Sequence, residues 1–396
     1  MRSDPPLKRR LGMGLLTGYG VGVMVGAGIY VLVGAVAAQA GIWAPLAFVL
    51  AGVIAAPSAL SYAELSSRIP EAAGEAAYIE DGLRSHALAI AVGLAIVVAG
   101  TVSAAAVLRG GAGYLALLLP LPQEAVMVGF GVLLVGVACL GVLESVGLAT
   151  VLTLVEVVGL GLVIWAGFSA PPSVDLATLP APHWPGIAAA ASLAFFAFIG
   201  FEDMVNMAEE MRDPIRDMPR AILAALAITT VLYLGVSWAA VRAVPLEQLG
   251  QSEQPLALVW QAAGHKPQLL AAIAVAAALN GVLAQVVMAA RVLYGLGRRT
   301  QALSVFHHAH PRFGTPVLAT SMTGGAMIAL ALNAPVERLA GASAMVLLGV
   351  FLLVNLSLVA LKTRSDFAPF RVPMAVPVIG ATVAGAALIA ALGGLA

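Results

Sequence analysis

The chain has 396 residues, 61% of them hydrophobic and only 10% charged, with acidic and basic side chains in equal number. A soluble protein carries about 25% charged residues, and here the charges sit between long apolar runs, so the composition excludes a water-soluble globular protein and points to a multi-span membrane protein. No basic tract suggests nucleic acid, and with a single cysteine, Cys139, no disulfide can form within the chain.

A membrane-spanning helix needs about 20 apolar residues. Eleven runs are candidates: 12–34, 42–66, 86–108, 122–142, 147–170, 186–208, 220–243, 268–296, 316–333, 340–361 and 374–395. The N-terminal "MRSDPPLKRR" is basic and leads into the first run without a small-residue cleavage site, so it reads as a cytoplasmic tail rather than a signal peptide. One set of alternate loops then holds most of the basic residues, among them Lys8, Arg68, Arg212, Arg216, Arg220, Arg298, Arg299 and Lys362. The other set holds Arg109, Arg242, Lys266 and Arg338. By the positive-inside rule the N-terminus is cytoplasmic, and an odd number of spans places the C-terminus outside, in a plasma (bacterial inner) membrane.

The first run contains "GYGVGVMVGAGIYVLVG" at residues 18–34. Glycine inside a helix costs about 1 kcal/mol relative to alanine. Two readings account for it. Gly18, Gly22 and Gly26 share a face on which another backbone can approach; alternatively, the helix is interrupted near residues 26–28. The fifth run, "TVLTLVEVVGLGLVIW", carries Glu156 in mid-span with no other ionisable residue nearby. The sixth is apolar from Gly186 to Phe201 and then meets Glu202 and Asp203. An acid at a helix centre costs about 2.5–3.5 kcal/mol and normally faces a wet cavity or a partner. A span ending at Gly200 would be too short to cross comfortably, so a second interruption is expected near residues 198–201. Interruptions at corresponding places in two halves point to a transporter built from inverted repeats, with its site at the midplane.

Further along, the loop at 244–267 contains "EQPLALVWQAAG", expected as a short surface helix. His307, His308 and His310 in "VFHHAHPRF" read as solvated loop residues rather than metal ligands. Glu64, Glu209 and Glu210 are expected to pair with Arg212, Arg216 or Arg220, and Arg109 to reach the outer interface.

Several stretches resemble the amino acid–polyamine–organocation (APC) transporter superfamily. "GAGIY" at 26–30 is similar to its Gly-x-Gly-Ile-Phe signature, and "FFAFIGFEDMVNMAEEMRDPIRDMPRAI" at 195–222 to its sixth helix and following loop. "SYAELSSRIPEAAGEAAYI" at 61–79, "RVLYGLGRR" at 291–299, "HPRFGTPVLA" at 310–319 and "FAPFRVP" at 367–373 match further segments. The chain departs from the family in having eleven candidate spans rather than the usual twelve, and "RRTQALSVF" where Gly-x-Leu-Pro is usual.

The resemblance implies an all-α membrane fold with a five-plus-five inverted repeat and discontinuous helices 1 and 6. Residues 1–170 would form the first repeat with its tail, 171–365 the second, and 366–396 an extra C-terminal helix. It implies an amino acid carrier, not an enzyme, with no cofactor. Free N–H groups at Gly26, Ala27 and Gly28 would take a carboxylate. Carbonyls of Phe196, Ala197 and Ile199 would take the ammonium, and Phe196 or Phe198 would act as a gate. Met24, Val25, Thr101, Ser103 and Asn280 are candidates for the side-chain pocket, which carries no fixed charge and so points to a neutral substrate.

Uphill transport needs an ion whose binding depends on conformation. Glu202 and Glu156 are the proton-coupling candidates. Many relatives have lysine where this chain has Glu156, so that mechanism does not transfer directly. A sodium site needs several oxygen ligands, and "AAIAVAAALNGVLAQVV" offers no Ser or Thr. Exchange and sodium coupling remain alternatives, as do a channel or a ligand sensor. No protease, hydrolase or phosphate-binding motif favours an enzyme, and no Thr-Val-Gly-Tyr-Gly filter favours a channel.

Overall fold

A computed structural model of the chain describes residues 11–26, 28–70, 74–119, 121–140, 146–174, 180–365 and 367–393. The expected cytoplasmic tail, residues 1–10, lies outside the described residues. Apart from one isolated bridge between Leu11 and Met211, the described elements are helical. In chain order they are α1 (Met13–Val25), α2 (Gly28–Ala40), α3 (Ala44–Arg68), α4 (Gly74–Leu83), α5 (His86–Ala116), α6 (Gln123–Leu140), α7 (Val146–Ser169) and α8 (Trp184–Ala194). There follow α9 (Pro214–Ala243), α10 (Leu246–Gln251), α11 (Pro255–Ala262), α12 (Gln268–Arg299), α13 (Val317–Asn333), α14 (Val336–Arg364) and α15 (Ala375–Gly393). Short 3₁₀ turns occupy Gly41–Trp43, Phe195–Phe198, Glu202–Glu210 and Gln301–Phe306.

Nine helical stretches among the described residues are long and apolar enough to cross a membrane; Met13–Val25 and Val317–Asn333 are shorter apolar helices. Each of the eleven apolar runs contains helix, but the first and sixth are not single helices. The first divides into α1 and α2, and α2 continues six residues past the expected end of the run. The sixth is helical only to Ala194 and then changes to 3₁₀ geometry. The helix expected near 253–264 is present as α11; it buries Leu256, Val259 and Trp260 beneath the surface, packed against α7 and α2.

Side chains at the periphery remain apolar where no neighbour covers them. Leu133, Leu154 and Val231 are 60%, 63% and 69% exposed, a pattern that suits hydrocarbon and not water. Inside, small residues let helices approach. A Cβ added at Gly93 of α5 would stand 2.8 Å from Leu296 of α12, and one at Gly111 would run into Ala278, the close contact that substitutes for hydrophobic drive within lipid. Buried polar pairs add direction. Asn355 of α14 accepts from the Ser61 hydroxyl at 2.6 Å and donates to the Ser58 hydroxyl at 2.9 Å, joining α14 to α3.

Tertiary contacts define two ends. At one, Arg299 donates to Glu80 and Arg212 N–H to Leu11 O. At the other, Arg109 donates to Ala331 O, capping the C-terminus of α13, and Arg242 donates to Gly167 O and Ala170 O at the end of α7. Arg109 thus holds a helix end while lying 4.0 Å from Glu253.

Glu64 departs from its expected partners. Fully buried, it accepts from Arg68 Nε and Nη2 at 2.9 and 2.7 Å, from Lys362 Nζ at 2.7 Å and from Val372 N–H at 2.8 Å. Arg68 lies one turn along the same helix, and α14 delivers Lys362, a partner 298 positions away in sequence. Lys362 also donates to Val372 O at 2.7 Å. The side chains of Glu209 and Glu210 lie outside the described residues. Because removing one member strands buried charge, Glu64→Leu should cost roughly 3–5 kcal/mol, seen as a lower thermal unfolding midpoint in detergent; an unchanged midpoint would refute the assigned clamp.

Candidate functional site

The two interruptions face each other. α1 ends at Val25, and Gly26 N–H makes the last helical bond, to Gly22 O at 2.9 Å. Gly26 then turns out of helical geometry, and α2 begins at Gly28. Ala27 lies outside the described residues. In the sixth run the Phe195–Phe198 turn gives way to an extended Ile199 and to Gly200 at φ +126°. A Cβ on Gly200 would stand 2.6 Å from Val23 Cγ1 and 3.1 Å from Met24 N. Glycine is required there on both counts, conformation and contact with α1. The glycines of α1 therefore divide by role: a Cβ at Gly22 would strike Thr153 of α7, one at Gly26 would stand 3.3 Å from Gly281 Cα, and Gly18 faces open space.

Main chain that leaves a helix inside a membrane has to find other partners. Tyr233 of α9 supplies one for both breaks: its buried hydroxyl lies 2.6 Å from Met24 O and 2.7 Å from Ala197 O. The ring packs edge-on against Phe198 and Phe48, with centroids 5.1 and 5.7 Å away, which fixes the direction of the hydroxyl. On the sixth run, Gly200 N–H donates to Glu202 Oε2 at 2.9 Å. Glu202 thus caps its own break.

Between the breaks is a cavity lined by Val23, Met24, Gly26, Gly28, Ser103, Val107, Phe196, Ile199, Gly281 and Gln285. Its volume of about 20 Å³ is room for about one water. Met24, Gly26, Gly28, Phe196 and Ile199 are the anticipated residues that reach it. Val25, Ala197 and Phe198 are buried beside it without lining it. Ser103 lines it, whereas the Thr101 hydroxyl turns back to Val97 O at 2.7 Å. Asn280 is committed to Glu156, donating to Oε1 at 2.9 Å. Glu156 is fully buried, and its Oε2 has no hydrogen-bond partner among the described residues.

Sequence reasoning did not single out Gln285, Glu75 or Tyr233. Gln285 lines the cavity and donates from Nε2 to Asp203 Oδ2 at 3.0 Å. Glu75, on α4, accepts from the Tyr62 hydroxyl at 3.3 Å. Tyr62 lies in a layer of buried rings with Tyr78, Phe201 and Phe351, at centroid distances of 6.2, 5.7 and 5.5 Å. None of these has a local signature, since Tyr, Gln and Glu at such positions become legible only when partners from distant helices are known.

The isosteric change Tyr233→Phe removes the shared donor and leaves two buried carbonyls unsatisfied. The expected cost is about 1–3 kcal/mol, read as a lower thermal midpoint in detergent; a midpoint equal to wild type would remove Tyr233 from this role. Burial pushes the Glu75 carboxyl from its ordinary 4.5 up to about 8, and the neighbouring Asp203 adds to that. With the folded value above the unfolded one, this stabilising contribution is complete below pH 4.5 and is lost as pH rises through about 8. Glu75→Gln should flatten that part of the stability–pH curve; an undiminished slope would show that Glu75 is not its source.

Comparison with known proteins places the chain in a family. The amino acid permease family matches residues 12–394. A vacuolar cationic amino acid transporter 2 of Arabidopsis thaliana is 32% identical over 348 residues, covering 80% of this chain and 54% of its own length. A branched-chain amino acid permease of Bacillus subtilis is 29% identical over 412 residues, with 95% and 86% covered. An uncharacterized transporter of Mycobacterium tuberculosis is 31% identical over 391 residues, with 96% and 87% covered. The chain spans a little over half the length of the plant relatives it matches. It belongs to the amino acid permease family of the APC superfamily.

Proposed function

We propose that the chain is a secondary carrier that moves an amino acid across the membrane by alternating access, coupled to protons. The observation that carries the reading is the pair of facing breaks, joined at Tyr233 and bordering a cavity. The start of α2 at one break presents N–H groups and the other break presents carbonyls, which suits a zwitterion. Contrary to the sequence expectation, Gly26 N–H is bonded to Gly22 O, and Phe196 O and Ala197 O accept from Ile199 N–H and Tyr233, so these groups would have to exchange partners for a ligand. In this reading Gly26, Ala27 and Gly28 meet the carboxylate. Phe196, Ala197 and Ile199 meet the ammonium, with Met24, Val25 and Phe198 around them.

The eleven apolar runs would be eleven spans, with the two breaks at corresponding positions of a five-plus-five inverted repeat: 1–170, then 171–365, with 366–396 outside it. The distribution of Lys and Arg supports a cytoplasmic N-terminus and an extracytoplasmic C-terminus in a plasma (bacterial inner) membrane. A cavity with room for one water cannot hold an amino acid, so binding must select or open a wider state. Phe196, which lines the cavity, is the side chain placed to move.

The relatives named above include one for cationic and one for branched-chain amino acids. Here the lining holds no charged side chain; Ser103 and Gln285 are polar and the rest is apolar or glycine. Burying a cationic or anionic side chain without a partner is costly, which favours a neutral substrate. Glu156 and Glu202 are the proton-coupling candidates. A buried carboxylate with a free oxygen is poorly compensated while ionised, and a proton on Glu156 Oε2 would neutralise it; exchange without protons is the competing reading.

Thermal-shift measurements against the common amino acids should give stabilisation by neutral ones, because a bound ligand stabilises the folded state by mass action. A Cβ at Gly28 would stand 3.4 Å from Ala197 Cα and 3.9 Å from Phe196 Cδ1, so Gly28→Val should fill the cradle and abolish that shift. A full shift in the variant would place the binding site elsewhere, and no saturable uptake by wild-type proteoliposomes would overturn the carrier reading.

A further inference from the structure

Of the two acids that follow the sixth-run break, Glu202 is engaged with Gly200 N–H two residues back. Asp203 is different. It is 3% exposed, and its Oδ2 accepts from Gln285, a side chain in the wall of the cavity. A single hydrogen bond therefore connects it to the space between the breaks.

The start of α4 packs against the segment that carries Asp203. Gly74, at φ +48°, brings the start of α4 against the same segment: a Cβ there would stand 2.6 Å from Asn206 Oδ1 and 3.4 Å from Val205 Cγ2. The next residue is Glu75, close enough to Asp203 and Glu202 to feel their charges. The groups that bear on Asp203 are thus Glu202 from its own segment, Glu75 from α4 and Gln285 from α12, with Tyr62 of α3 bonded to Glu75. Among the described residues, no Lys or Arg forms an ion pair with any of the three carboxylates. Three buried carboxylates without a cation cannot all stay ionised cheaply, and a shared proton is the simplest counter-charge.

We propose that Asp203 is a proton-binding positioning residue that reports to the substrate cavity through Gln285, an assignment that rests on the carrier reading above. The chemistry follows from the carboxamide, which donates through nitrogen and accepts through oxygen. With Asp203 ionised, Gln285 Nε2 points at the carboxylate, as in the structure. Once Asp203 takes a proton, its O–H donates instead, and Gln285 turns its oxygen toward Asp203 and its NH₂ toward the cavity. Loss of the proton from Asp203 restores the first arrangement. Charge balances at each step, because only the proton moves. The protonation state is thereby read as the hydrogen-bonding face presented to the substrate.

The test uses the purified full chain in proteoliposomes with radiolabelled alanine, serine and leucine as probes. Uptake is driven by an imposed pH gradient and compared with counterflow at equal pH. One pH unit supports about tenfold accumulation by a one-to-one carrier. Asp203→Asn should abolish this accumulation and flatten the pH profile of counterflow while exchange persists. Gln285→Met should flatten the same profile with Asp203 intact, and Asp203→Glu should restore pH dependence at a shifted midpoint. If Asp203→Asn does not fold, Gln285→Met and Asp203→Glu decide the matter alone. A wild-type pH profile in Asp203→Asn or Gln285→Met, or a profile lost only in Glu202→Gln, overturns the proposal. Wild-type counterflow that ignores pH overturns it, and the proton coupling with it, while leaving amino acid carriage by alternating access standing. No wild-type flux of any probe in either assay overturns both.

Discussion

One phenolic hydroxyl sits where two interrupted helices need it. Inside a membrane no bulk water can satisfy a main-chain carbonyl that has left its helix. Met24 O and Ala197 O both turn to Tyr233, which has a single proton to donate. The two carbonyls must share it, so neither break can shift without changing the satisfaction of the other. The ring itself is held by Phe48 and Phe198 on either side. Gly200, without a Cβ, allows the sixth run to lie against Val23 and Met24 at all. The cavity between the breaks rests on this junction.

α12 stands across from it and carries two carboxamides five positions apart. Asn280 bonds Glu156 on α7, and Gln285 bonds Asp203 on the sixth run. Between them Gly281 leaves room for Gly26. An amide can bond a carboxyl whether or not it is protonated, by exchanging donor for acceptor. α12 is therefore able to stay in contact with both acids through a change in proton occupancy, offering an acceptor to the protonated form that a lysine lacks.

The clamp at Glu64 serves a separate purpose. It ties α3, α14 and the strand of chain before α15 at one end of the bundle through charge-assisted bonds to Arg68, Lys362 and Val372 N–H. Every oxygen of the carboxylate is engaged, which is what makes a buried ion pair tolerable. This end is held together by full ionic compensation, while the acids near the cavity have no ion-pair partner among the described residues.

Much of this was legible in the residues themselves. Apolar runs marked the helices, because hydrocarbon demands about 20 such residues in a row. Glycine at 26 and 200, and acids after an apolar stretch, marked both breaks, because each is costly in an unbroken span. What stayed hidden were pairings. Tyr233 looks like any tyrosine within an apolar run, Gln285 like a tolerated polar residue, and Lys362 like an inner-face anchor. Their partners lie 209, 82 and 298 positions away, and no periodicity carries such information. The sequence by itself determined that the chain lives in lipid and where its helices fail, since those follow from the local cost of exposing backbone and charge. Only the tertiary structure decided which side chain repairs each failure, because a hydrogen bond depends on three-dimensional distance and direction, and these exist only once the helices have packed.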